Sequence, residues 1–128
     1  MAPPLNAALV TNWILDGTLN RLAAAVRAES VARMKEAAAI LGPSGAHFHP
    51  EGYHLWLPLP DNVDAGRMAA QAISAGLPAA PGAAFAVTPN AQSQALRISL
   101  GGLAPRIRML REIQRLDALL AQDGGALV

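Results

Sequence analysis

The chain has 128 residues, no cysteine, a formal net charge of +1 and only 15% charged residues. That length fits one domain. The missing thiols exclude disulfides, thiolate metal sites and cysteine nucleophiles. The charge balance offers no clustered basic face for nucleic acid, no apolar run reaches the ~18 residues that span a bilayer, and the start Met1-Ala2-Pro3-Pro4-Leu5-Asn6 lacks a signal peptide's basic and apolar regions. A cytoplasmic protein without membrane contact is expected.

Pro3 and Pro4 open a helical pattern over residues 5–15, where proline suits a first turn. Asp16-Gly17 breaks it, and Thr18 is placed to cap a longer helix over 18–41. Leu19, Leu22, Val26, Met34 and Leu41 fall along one stripe of that helix. Glu29 and Arg33 stand in the favourable i,i+4 order for a modest surface pair. Gly42-Pro43-Ser44-Gly45 predicts a turn. Strand-like runs over 46–49 and 53–57, joined by Pro50-Glu51-Gly52, predict a hairpin that Pro58 and Pro60 stop.

Asp61 is placed to cap a third helix over 62–75, which Gly76 closes. Residues 77–87 read as extended and irregular, with Pro81-Gly82 suited to a type II turn. A polar loop over 88–94 leads into the strand Ala95-Leu96-Arg97-Ile98-Ser99-Leu100-Gly101. A final helix over 103–122 carries Ile107, Leu110, Ile113, Leu116 and Leu120 on a drifting apolar stripe. On that helix Arg106, Arg108, Arg111 and Arg115 are interrupted by Glu112 and Asp117, so they read as a solvated face. Interleaved helices and strands with a hairpin predict an α/β (α+β) sandwich. It has a small mixed or antiparallel sheet with helices on one face. The expected domain is 1–128, with a helical lead-in over 1–41 and the sandwich over 46–122.

Arg97 is the residue with the most chemistry. Leu96, Ile98 and Leu100 share one face of its strand, and Arg97 and Ser99 share the other. A guanidinium cannot be deprotonated, so Arg97 must meet water, a carboxylate of this chain or a ligand. From the residues alone an internal salt bridge is the simpler reading. His47, His49 and His54 could approach one metal ion across the hairpin, but no carboxylate is spaced to orient them, and surface or interface histidines are the preferred reading. Trp56 is read as a packing residue, either in the core or against another domain.

Three segments, Tyr53-His54-Leu55-Trp56-Leu57-Pro58-Leu59-Pro60, Pro81-Gly82-Ala83-Ala84-Phe85 and the Arg97 strand, come in an order that resembles a known family. It is the C-terminal small domain of fold-type-I pyridoxal-phosphate aminotransferases, with the MocR branch of GntR transcriptional regulators as the nearest likeness. Asn12-Trp13-Ile14-Leu15-Asp16-Gly17-Thr18-Leu19 is similar to that family's approach to the small domain. Glu51 departs from it, standing where the family usually has the first of two glycines.

The resemblance implies that Arg97 holds a substrate carboxylate, supported by Ser99, with Gly82 and Phe85 near the mouth of the site. It further implies a longer parent that binds pyridoxal phosphate in a large domain, works as a dimer, takes an amino acid or amine, and reaches DNA only through an N-terminal winged helix. No catalytic, cofactor-binding or metal residue is expected in this chain. Its one lysine, Lys35, lies beside Glu36 on a charged helix face rather than in the family's lysine context. A free-standing aminotransferase of the 2-aminoadipate or aromatic type has almost the same small domain and is the alternative. An independent interaction module is a third reading.

Overall fold

A computed structural model describes residues 3–88, 93–102 and 104–124. The elements run α1 (Pro4–Leu15), α2 (Thr18–Leu41), β1 (His47–Phe48), β2 (His54–Pro58), α3 (Ala65–Ser74), β3 (Ala79–Pro81), a 3₁₀ turn (Gly82–Phe85), β4 (Ala95–Ser99) and α4 (Arg106–Gly124). The strands form one open sheet in the order β1-β2-β4-β3, and every neighbouring pair is antiparallel. The result is an α+β small domain. Parallel pairing, left open by the sequence, is absent from the described strands.

Two strands set the register. Leu55 faces Ile98 and Leu57 faces Leu96 across β2 and β4, so alternation sends all four to the same side. There they are buried with Met34 and Leu41 of α2, Met68 and Ala72 of α3, and Ile113 and Leu116 of α4. The helices that share this core therefore cover one face of the sheet. Each fully buried side chain of this size contributes about 1.5–3 kcal/mol relative to exposure.

Several local expectations shift. Thr18 is the first residue of α2 rather than its cap; the Asp16 carboxylate accepts the Thr18 N–H at 2.8 Å. α3 begins three residues later than expected because Asp64, not Asp61, caps it, accepting the Arg67 N–H at 2.6 Å. Gly76 closes α3 as expected. With φ at +90° it lets its own N–H reach the Ile73 carbonyl and the Leu77 N–H reach that of Ala72. β2 runs through Pro58, paired with Ala95. β1 lies only against residues 55 and 56 of β2, so no partner on that side needs the missing N–H of proline 58.

The apolar stripes are only half used. In α2, Met34 and Leu41 are buried, but Leu19, Leu22 and Val26 are exposed, because only the C-terminal half of the helix lies on the sheet. α1 buries none of its residues. In α4, Ile113, Leu116 and Leu120 are in the core, whereas Ile107 is 73% exposed in the first turn. Leu103, the first residue of the expected final helix, lies outside the described residues. So do residues 89–92 of the expected polar loop.

The pair expected to be a minor surface feature is a clamp. Arg33, 11% exposed in its side chain, donates from Nε to Glu29 at 2.8 Å. Its terminal nitrogens donate to the carbonyls of Leu100, Gly102 and Ala104 at 3.1, 3.2 and 3.0 Å. One guanidinium thereby ties α2 to the loop that leads from β4 into α4. Arg106 at the start of α4 adds an ion pair with Glu36 at 3.2 Å.

The hydrogen bond from Arg33, aided by the charges of Arg106 and Arg33, holds the Glu29 carboxyl below its ordinary range despite desolvation. Because the folded value is depressed, this contribution is present above the unfolded glutamate pKa and is lost as pH falls through the folded value. Arg33→Ala should cost about 2–3 kcal/mol in urea unfolding, since it strands carbonyls that a charged donor had satisfied. Arg33→Lys should recover less than half, because an ammonium cannot span the same set. Acidification below the ordinary carboxylate range should weaken the wild type more than Glu29→Gln; equal acid sensitivity would remove Glu29 from the clamp.

Candidate functional site

The face of the sheet opposite the core carries the polar row. Trp56 lies opposite Arg97 on one side and Ala80 lies opposite it on the other, while His47 faces Trp56. Directly paired residues project to the same side, so His47, Trp56, Arg97 and Ala80 form one row across all four strands. His54 and Ser99, paired with each other, begin the next row. Leu96, Ile98 and Leu100 are buried on the other side, as the alternation required.

Ala80 contributes only a methyl group to the row, which leaves space above β3. The 3₁₀ turn fills it. The Arg97 guanidinium lies over the Phe85 ring, with Arg97 Cζ 4.2 Å from the ring centroid. Trp56 meets the same ring edge-on, at 6.2 Å between centroids and 67° between planes. Phe85, Trp56 and Arg97 thus form one aromatic–cation cluster.

Gly82 is what lets the turn come down this far. A Cβ at Gly82 would stand 2.8 Å from the Ser93 carbonyl oxygen, 2.9 Å from Ser93 Oγ and 3.0 Å from Trp56 Cζ2. The expected type II turn at Pro81-Gly82 is not formed, since Gly82 has no positive φ. Glycine is needed at this position for close approach, not for a left-handed conformation.

Among the described residues Arg97 makes no hydrogen bond or ion pair; its contact is with the Phe85 ring. The salt bridge offered by the simplest sequence reading is therefore absent from the described residues. Half-buried and in contact with a ring, the guanidinium keeps N–H donors that no acceptor among the described residues takes. Ser99 is on the same face, so the structure brings Arg97, Ser99, Phe85 and Gly82 to one side of the sheet. Trp56 belongs with them, as an outward residue rather than a core one. Its place was readable from β2, where Leu55 and Leu57 point inward and residue 56 must point out.

Other polar groups do different work. His49 Nδ1 accepts the Glu51 N–H at 3.2 Å within the hairpin turn, away from His47. No group of three or more histidines or carboxylates among the described residues is arranged around a metal position. An open cleft of about 1170 Å³ lies at the start of α3, lined by Asp61, Asp64, Thr88, Ser93 and Gln94 but not by Arg97. Its two aspartates disfavour a carboxylate ligand, and the Asp64 cap already occupies the positive end of α3.

The residues of this chain do not fit a Schiff-base cofactor site. Lys35 is exposed on α2, in the helix layer, and Arg97 is on the far side of the sheet. No described helix is long and apolar enough to cross a membrane.

No family model matches the sequence, and no curated protein matches it. Among solved structures, the chain aligns with the crystal structure of multiple substrate aminotransferase from Thermococcus profundus, at a TM-score of 0.66 and 23% identity. The alignment covers 90% of this chain and 28% of that one. The chain therefore has the fold of one part of an aminotransferase and spans little more than a quarter of its length.

Because Arg97 has no carboxylate partner among the described residues to strand, Arg97→Ala should change unfolding stability by less than about 1 kcal/mol, the scale of an exposed cation–π contact. A loss as large as that expected for Arg33→Ala, measured in the same urea series, would make Arg97 structural.

Proposed function

We propose that this chain is the small domain of a pyridoxal-phosphate-dependent aminotransferase-like protein, and that Arg97 pairs with the carboxylate of its amino-acid ligand. The observation that carries this reading is a guanidinium on the open sheet face with no carboxylate partner among the described residues. The likeness in fold to a part of an aminotransferase supports that class of protein. In this reading the cofactor and its lysine belong to a large domain, and Arg97, with Ser99 beside it, binds and orients the ligand. The large domain would also cover apolar side chains that α1 leaves in water, among them Leu5 and Ile14. A second subunit completes the parent.

Within this class the nearest likeness of the three sequence segments is to a GntR/MocR-type regulator, which would reach DNA through an N-terminal winged helix. A free-standing aminotransferase differs upstream of this domain, so the preceding reading frame separates the two. In either parent, Arg97 distinguishes an amino acid from the corresponding amine, because only the former offers a carboxylate to the fork.

Two measurements test the reading. In the isolated chain, borohydride treatment with pyridoxal phosphate should fix no stoichiometric pyridoxyl group on Lys35; a stoichiometric adduct lost in Lys35→Ala overturns the division of labour. In a protein that carries this domain with its cofactor domain, titration followed by the cofactor's absorbance should show Arg97→Ala weakening an amino acid at least tenfold, the equivalent of about 1.4 kcal/mol. Its decarboxylated amine should bind as before. Equal effects on both ligands remove the carboxylate role.

A further inference from the structure

The geometry points to Phe85 as the positioning residue of Arg97: its ring, set by Gly82 and Trp56, packs against the guanidinium and holds it on the open face of the sheet for a carboxylate to reach. The role deepens the carboxylate reading above and depends on it for its use, while the placement itself stands on the contacts in this chain.

An arginine side chain on an open sheet face is long and has many rotamers, and nothing in its own strand selects one. Arg97 has three neighbours that do. Trp56 walls the β2 side of its row, Ala80 leaves the β3 side low, and Phe85 closes over the guanidinium at 4.2 Å. A guanidinium over a ring face is attracted by the ring's quadrupole. The ring also fills the space on that side. The N–H donors lie in the guanidinium plane, which is the two-point geometry a carboxylate matches.

The turn that delivers the ring is itself determined. The Cβ-free Gly82 seats against Ser93 and Trp56, Ala86 N–H reaches the Ala83 carbonyl at 3.2 Å, and Trp56 holds the ring from its edge. Yet Phe85 is 41% exposed and lies outside the core cluster. A residue so placed contributes little to folding, so its orientation towards Arg97 needs another reason. Pre-setting the fork lowers the entropy lost when a ligand is bound.

The test uses the isotope-labelled 128-residue chain and the side-chain Nε–Hε resonances of its arginines. In the wild type, Arg97 Hε should be shifted upfield by the ring. Phe85→Leu should abolish the shift, Phe85→Tyr should keep it, and Gly82→Ala should abolish it by lifting the turn. Propionate, with propionamide as the control, reports on the fork. Phe85→Leu should weaken propionate by about two- to fivefold, the factor an exposed cation–π contact carries, and Phe85→Tyr should bind it as the wild type does.

An Arg97 resonance indifferent to Phe85→Leu, or propionate affinity unchanged when the shift is lost, overturns the positioning role. A wild-type Arg97 that shows the shift but responds equally to propionate and propionamide sustains the placement and overturns the carboxylate reading instead. Unchanged melting of Phe85→Leu and Phe85→Tyr excludes unfolding as the cause of either result.

Discussion

The antiparallel register of β2 against β4 is the constraint from which the rest of this molecule follows. With Leu55 opposite Ile98 and Leu57 opposite Leu96, one face of the sheet becomes wholly apolar and attracts α2, α3 and α4. The same register leaves Trp56 beside Arg97 on the other face. A slip of one residue would turn Arg97 into the core and the leucines into water. Core and candidate site are therefore two consequences of one pairing, and stability protects the geometry of the site without any residue of the site being in the core.

Much of this was legible because period-two alternation is a local signal. Leu96, Ile98 and Leu100 announced their strand's inner face, and Arg97 and Ser99 its outer one, without knowledge of any partner. The hairpin, the turn at 42–45 and the Gly76 helix end were legible for the same reason, since each rests on residues adjacent in sequence. The fold class was reached, with the choice between mixed and antiparallel left to pairings between distant strands.

What the sequence hid was long-range or depended on competition between equivalent residues. Asp61 and Asp64 are both good caps, and the choice between them is made by where α3 must start to place Met68 and Ala72 over the sheet. Gly82 looked like a turn residue because glycine has two uses, and only the positions of Ser93 and Trp56 show that close approach is the one in force. Leu19, Leu22 and Val26 of early α2 shared a stripe with Met34 and Leu41 by their spacing, but spacing cannot say whether a partner is present. In this structure they face water.

Arg33 and Arg97 show what separates a structural guanidinium from one suited to a ligand. In the sequence the better-partnered of the two was Arg33, with Glu29 one helical turn away, though the pair promised only a weak surface contact. The structure gives Arg33 a carboxylate and three carbonyls, so its donors are spoken for and its removal would leave acceptors unsatisfied. Arg97 has a ring contact and no acceptor among the described residues. Both are partly or largely shielded, so burial does not distinguish them; the number of acceptors each already holds does. The proposal that Arg97 takes a carboxylate from outside rests on that contrast among the described residues.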